Sequence, residues 1–568
     1  MRFHALACDY DGTLARDGVV DEATREAVRQ LRRSGRRFVL VTGRILPDLR
    51  AVFGELDLFD AVVAENGALL YLPADDLRTP LAPPPPPAFV QALGAKGVTP
   101  LDIGEAIVAT WTPHEMTVVE TIREFGLDLQ VIFNKGAVMV LPAGVNKASG
   151  LSAWLQHAGI SARSVVAVGD AENDLALLTA CEGSAAVANA LPSVQTACDL
   201  VLGADHGAGV RELIQRLLAD DLRSVISIDE RQSIPLGTAN QQQIVLPGFV
   251  GGVLVAGTSG GGKTTIVSGI VERLADATYQ CCIVDPEGDY EGLAGFVTLG
   301  DTERAPRLEE IIELVRTGAQ LTINLLGIST DDRPAFATQL LAQLGESRAA
   351  NGRPHWIVID EAHHLLPVQN ANIAIPAGQW NSVLFVTTRP SLVAASALEN
   401  VDNVIVVGDD VDATLKEAIA IIGFGDVQPE SCPVSNNGDG ALWRRSDPGN
   451  VRSVAFNPSK SSRRRHRRKY ASGDLAPEKS FTFTGPQHRL HLQANNLQTF
   501  LRMADGVDEE TWTFHRQRRD YSTWFQNDIG DVDFAEAAAE IENDKTVDSA
   551  ESRKRIAALI NERYTAPA

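Results

Sequence analysis

Short apolar runs alternate with amphipathic stretches along the first part of the chain. Phe3–Cys8, Arg37–Val41 and Ala61–Ala64 read as buried strands, each a near-continuous apolar run with polar or glycine residues at its ends. Between the first two, Asp21–Ser34 carries its apolar residues at helical spacing. This βαβ rhythm predicts a parallel sheet with helices on its faces. It breaks at 80–87, where five consecutive prolines mark a stiff hinge into an insert. It resumes near Val145, with a helix at Lys147–Ala158, a strand at Ser164–Val168 and a helix at Asp174–Thr179. Residues 223–250 predict a short β-hairpin leading into a second βαβ series. Its strands fall at Gly252–Val255, Cys281–Val284, Leu321–Asn324, Trp356–Ile359, Val383–Val386 and Asn403–Val407. In the last hundred residues two helical stretches are expected, Leu492–Ala504 and Phe534–Asn543. Phe500, Trp512, Trp524 and Phe525 form the core there, and Arg516, Arg518 and Arg519 a solvated face.

The chain has 568 residues, and at about 150 per domain that predicts three to four domains. The breaks in pattern divide it into 1–222 with an insert at about 81–144, then 223–460, a linker at 461–470, and 471–568. No apolar run approaches the roughly 20 residues that span a bilayer, so no membrane partner is expected. The N-terminus reaches Asp9 too soon for a signal peptide. The six cysteines are scattered and none forms a CxxC, which points to a cytoplasmic protein without a disulfide framework. A net charge of −22 would repel a polyanion. Against it stands one basic run, Arg463–Lys469, which reads either as a phosphate-backbone contact or as a solvated linker.

The first candidate chemistry follows the first strand, in Asp9-Tyr10-Asp11-Gly12-Thr13-Leu14. Two aspartates two apart at a strand's C-terminal end sit where α/β sheets bind ligands. Asp9 is placed to attack phosphorus, giving an aspartyl-phosphate. Asp11 can protonate the leaving oxygen and later activate water. Thr42, in Val41-Thr42-Gly43-Arg44, offers a hydroxyl to a phosphoryl oxygen, and Lys147 offsets charge. Asp170 and Asp174, in Gly169-Asp170-Ala171-Glu172-Asn173-Asp174, join Asp9 and Asp11 as oxygen ligands for a hard cation, Mg²⁺.

The second is Gly257-Thr258-Ser259-Gly260-Gly261-Gly262-Lys263-Thr264, between an apolar strand and a helix starting near Thr265. This is the P-loop pattern: Gly257, Gly260 and Gly262 let backbone N–H groups wrap phosphates, and Lys263 reaches the β- and γ-phosphates. Thr264, beside Thr265, holds Mg²⁺, and Asp360 at the end of Trp356–Ile359 binds the same ion. Glu361 next to it polarises the attacking water of an ATP-hydrolysing site.

DYDGTL, VTGR, NK and GDAEND occur in this order at strand ends or helix starts. Together they resemble the haloacid dehalogenase (HAD) superfamily, in its Cof-like, type IIB branch, over about residues 1–220. The resemblance implies a Rossmann-like domain with an α+β cap, Asp9 as nucleophile, Asp11 as acid/base and Asp170 as a metal ligand. LVAGTSGGGKTT, IVDPEGDY, IVIDEAHHLLP and LFVTTRPSLV resemble the HerA/FtsK group of P-loop ATPases. Thr388 stands in the sensor place there, and Arg389 is either a trans-acting arginine or a strand-end ion pair. Asp285 and Glu287 either cap a turn or serve the nucleotide, and His363 and His364 read as packed helix-start residues.

The fold expected is therefore α/β: a HAD-like domain with cap, a P-loop NTPase domain and a small C-terminal helical domain. The function expected is a Mg²⁺-dependent phosphomonoesterase acting on a small phosphorylated substrate, coupled to ATP hydrolysis. The alternative is a ring-forming translocase acting on DNA with an accessory phosphatase. The HerA-like resemblance implies a homo-oligomer, a hexamer.

Overall fold

The computed structural model describes residues 1–134, 136–224, 232–258, 261–369, 381–408, 410–427, 439–460, 470–471, 475, 479–487, 489–529 and 531–565. The basic run at 463–469 lies outside them. The chain forms two compact bodies. One comprises Met1–Val284, Gly295–Ile323 and Gly327–Ser459; the other comprises Asp285–Ala294, Asn324–Leu326 and Lys460–Ala568.

In the first body, six parallel strands run in the order Leu200–Val201, Gly183–Ala186, Val165–Gly169, Ala5–Asp9, Arg37–Val41, Ala61–Ala64. Two antiparallel strands, Leu69–Leu72 and Leu77–Pro80, extend the last edge. Every residue of Ala5–Asp9 is buried, as a strand covered on both faces must be. The helix Glu22–Arg33 starts where the Asp21 carboxylate accepts the Thr24 N–H at 2.7 Å, and it buries Val28 and Leu31.

The insert carries its own antiparallel sheet, in the order Asp102–Ile103, Val108–Trp111, Ala137–Pro142, Leu129–Asn134. The helices Pro87–Ala95 and Glu115–Phe125 supply Phe89, Leu93 and Val118 to pack with Val108, Val138 and Val140. Its other side brings Ile107, Met139 and Leu141 against Ile45 and Ala68.

The third sheet has eleven strands. Its parallel centre reads Val401–Val407, Gly252–Gly257, Val383–Thr387, Trp356–Ile359, Cys281–Asp285, Gln320–Asn324. The expected hairpin is present as Ser233–Ala239 and Gln242–Pro247, and it joins this sheet beside Asp447–Phe456.

In the second body, Phe481–Phe483 pairs with Leu492–Ala494. Helices follow at Leu497–Gly506, Glu509–Arg518, Asp520–Asn527, Val532–Asn543 and Ser549–Ile560. The helix predicted from Leu492 thus begins five residues later. Leu492–Ala494 is drawn into the strand pair, and the Asn496 side chain caps the Thr499 N–H at 2.7 Å. Phe481, Phe500, Trp512, Tyr521, Trp524 and Phe525 fill the core. Arg516 is not a solvated residue: its guanidinium donates to the carbonyls of Asp544 at 2.5 Å and Val547 at 2.8 Å.

The two large parallel sheets of the first body meet through the N-terminal ends of their strands. Arg2, Arg163 and Glu182 precede strands of one; Phe249, Tyr279 and His355 precede strands of the other. The buried Glu182 carboxylate pairs with Arg2 at 2.5 Å and accepts the Tyr279 hydroxyl at 2.9 Å. Arg163 lies over the Tyr279 ring and donates to Ala277 O at 3.1 Å. Arg2 lies over Phe249. The C-terminal strand ends therefore point away from one another. Breaking a buried pair by removing one partner costs about 3–5 kcal/mol. Glu182→Ala is therefore expected to lower the urea midpoint and melting temperature of the full chain markedly, and Glu182→Gln, which keeps an acceptor, to lower them less. Unchanged unfolding of Glu182→Ala would show that this seam does not hold the sheets together.

Candidate active sites

Asp9 ends the central strand of the first sheet and Asp170 directly follows its neighbour, Val165–Gly169. Asp174 begins the short helix after Asp170. Its Oδ2 accepts the N–H groups of Asp170 and Ala171, each at 3.1 Å. Lys147 is the first residue of the helix Lys147–Ala158, whose start is fixed by reciprocal bonds between Asn146 and Ser149. Its ammonium lies 2.5 Å from Asp9 Oδ1 and 2.6 Å from Asp174 Oδ1. Asp170 accepts the Thr13 hydroxyl at 3.1 Å. Oxygens of Asp9, Asp170 and Asp174 lie within 4.8 Å of one another, all buried.

Burial, then the Asp174 charge, pushes the Asp9 carboxyl above its ordinary range, with Lys147 opposing. Burial works against the Lys147 ammonium, but Asp174 and Asp9 outweigh it and hold its pKa above the ordinary value. Three carboxylates around one ammonium leave an excess of negative charge in a buried place. Their hard oxygen donors fit Mg²⁺.

Asp11 lies apart from this cluster. Its carboxylate takes two bonds from the Arg44 guanidinium, both 2.7 Å. Thr42 is buried at the end of Arg37–Val41, and its hydroxyl accepts the Arg44 N–H at 3.1 Å. Arg44 was not a sequence candidate. Only its adjacency to Thr42 in VTGR pointed to it.

In the third sheet, Gly257 closes its strand at φ +150°, where a Cβ would meet Val407 O at 1.9 Å. Gly262 caps the helix Lys263–Asp276. The buried Lys263 ammonium turns back onto the carbonyls of Gly257 and Thr258, at 3.0 and 2.9 Å. Thr264 and Thr265 follow it in the first turn; Gly260 lies outside the described residues. Asp360 is buried just past Trp356–Ile359. Glu361 adopts φ +42° and lies 3.3 Å from His363 Nδ1. That nitrogen is also 3.0 Å from the Thr387 hydroxyl. The polar residue closing the neighbouring strand is thus Thr387, one place before Thr388, and His363 joins the strand-end group rather than merely packing. Nothing in the local pattern distinguished Thr387 from Thr388. The Asp285 carboxylate accepts the N–H groups of Glu287, Gly288, Asp289 and Tyr290 and so caps its own turn.

Residues 6–78 and 119–214 match a family model described as haloacid dehalogenase-like hydrolase. Residues 252–349 match one described as helicase HerA, central domain. The phosphoglycolate phosphatase of Methanothermobacter thermautotrophicus is 33% identical over 228 residues, which is 38% of this chain and 98% of that protein. That of Methanosarcina acetivorans is 30% identical over 231 residues, covering 38% and 97%. A haloacid dehalogenase-like hydrolase structure from Bacteroides thetaiotaomicron aligns with a TM-score of 0.34 at 18% identity, covering 38% of this chain and 99% of that one. Through this N-terminal part the chain belongs to the haloacid dehalogenase-like hydrolases. A HerA-type central domain follows it in the same polypeptide.

Burial, then the charges of His364, Arg389 and Lys263, lowers the His363 imidazole to about 4. An unfolded chain would protonate it near 6.5. Between those values the unfolded state binds the extra proton, so this group's contribution to stability is present above about 6.5 and is lost as pH falls toward about 4. A chemical-shift titration of labelled histidine is expected to leave His363 neutral at pH 5.5. A midpoint near 6.5 would contradict this burial.

Proposed function

We propose that the chain is a Mg²⁺-dependent phosphomonoesterase joined to an ATP-hydrolysing P-loop domain, acting in the cytoplasm. The observation that carries the reading is the buried Lys147–Asp9–Asp174 pairing at the strand ends, with Asp170 beside it. Asp9 attacks phosphorus, the bond to the leaving oxygen breaks, and water then hydrolyses the aspartyl-phosphate. Asp11 gives its proton to the leaving oxygen and later takes one from that water. To reach the substrate it parts from Arg44, whose guanidinium is then available to an anionic group on the substrate. Thr42 donates to a phosphoryl oxygen, and Lys147 neutralises charge on it. Mg²⁺, held by Asp9, Asp170 and Asp174, supplies further neutralisation of the phosphoryl oxygens. The relatives favour phosphoglycolate as the first substrate to try.

In the second site, Lys263 leaves the loop carbonyls for the β- and γ-phosphates of ATP, with Gly257, Gly260 and Gly262 shaping the loop. Thr264 and Asp360 hold the accompanying Mg²⁺, and Glu361 orients water. The match to a helicase central domain supports ATP-driven work on DNA by a homo-oligomer, a hexamer, as the accompanying reading. ATP turnover would then rise with DNA, and the effect would fade with salt.

Asp9→Asn is expected to lower phosphoglycolate hydrolysis by several orders of magnitude, about the scale of nucleophile losses, while ATP turnover persists. Chelation of divalent ions is expected to stop both reactions. Near-wild-type hydrolysis by Asp9→Asn would exclude the aspartyl-phosphate route. Lys263→Ala is expected to weaken ATP binding, whereas Glu361→Gln binds ATP and turns it over slowly. Binding titrations beside turnover check this, and equal loss of binding in both variants would contradict the separate roles.

A further inference from the structure

Three consecutive residues, Glu65, Asn66 and Gly67, hold left-handed backbone at φ +54°, +53° and +103°. Gly67 has little choice: a Cβ there would meet Asn146 O at 1.9 Å. Glu65 and Asn66 carry side chains into a conformation that disfavours them, and such strain persists only where the surroundings impose it. Here three pieces of the phosphatase part impose it.

The Glu65 N–H donates to Arg44 O and the Asn66 N–H to Thr42 O, both at 3.0 Å. The turn therefore fixes the backbone of the loop that holds Thr42. Gly67 packs on the residue preceding Lys147. The Glu65 side chain, fully buried, reaches into the insert. Its Oε1 accepts the Glu105 N–H at 2.9 Å, and its Oε2 accepts those of Ala106 and Ile107 at 2.8 and 3.2 Å. Gly104 leaves room for it, since a Cβ there would stand 2.6 Å from the carboxyl. Asn66 Nδ2 meets Met139 Sδ of the same insert at 3.1 Å.

We propose that Glu65 is a positioning residue: its carboxylate clamps the 104–107 loop of the cap and, through its own backbone, ties cap closure to the placement of Thr42. The proposal rests on the phosphatase reading above. A carboxylate accepting three N–H groups in a buried place is a strong and specific hold. It is made only when the cap lies on the sheet, so closing the cap and setting the phosphate-binding loop become one event.

The test uses the full chain, with hydrogen exchange of the 104–107 segment beside steady-state kinetics on phosphoglycolate. Glu65→Ala is expected to speed exchange of that segment by about tenfold or more while Ala5–Asp9 exchanges as before. It is also expected to lower kcat by about tenfold, with KM changed by less than about threefold. Glu65→Gln, which keeps one acceptor oxygen, restores part of both. Should Glu65→Ala fail to fold, Glu65→Gln carries the same two readouts in smaller measure. Wild-type exchange at 104–107, or faster exchange with kcat unaltered, would overturn the clamp. If the wild-type chain hydrolyses no phosphomonoester, the phosphatase reading falls, and the exchange arm still decides whether Glu65 holds the cap.

Discussion

Buried charge must be compensated, and the phosphatase part is arranged around that requirement. Lys147 touches two of three buried carboxylates and has no other reason to lie inside a sheet protein. Each carboxylate there comes from a different strand end or helix start, so the cluster forms only when the parallel order of strands is complete. The Asn146–Ser149 box sets the helix that delivers the ammonium. Asp174 spends its second oxygen on backbone N–H groups, which fixes the loop carrying Asp170. The residual negative charge suits that place to a divalent cation.

The strand ends were legible in the sequence because parallel strands buried on both faces read as unbroken apolar runs. Polar residues at their C-terminal ends then stand out as chemistry rather than as core. Asp9, Asp170 and Asp360 were visible on that ground, whereas Lys147 and Lys263 open helices and stood out by the motifs around them. Partnerships across the sheet were not. The Arg44–Asp11 pair joins residues 33 apart, and nothing local in either segment announces it. The role of Glu65 was hidden for another reason: a left-handed turn of non-glycine residues follows from three neighbouring segments, none adjacent in sequence. In the tail, Leu492–Ala494 had helix-compatible residues, and pairing with Phe481–Phe483 decided otherwise.

The third sheet follows the same logic with different chemistry. Lys263 turns back onto the carbonyls of its own loop, and the neighbouring strand ends supply Asp360, Glu361 and Thr387. His363 links Glu361 to Thr387 at 3.3 and 3.0 Å, so a polar thread crosses between adjacent strands. A neutral imidazole suits that thread, since burial disfavours its charged form and the positive charges of Arg389 and Lys263 would repel it.

The seam at Glu182 sets the two sheets back to back. A five-residue strand spans about 17 Å, so the two crevices open on opposite sides with two strand lengths between them. The two crevices therefore take up and release their ligands through separate mouths. Whatever one crevice does can reach the other through the seam between them, where Arg2, Arg163, Glu182 and Tyr279 join the two sheets.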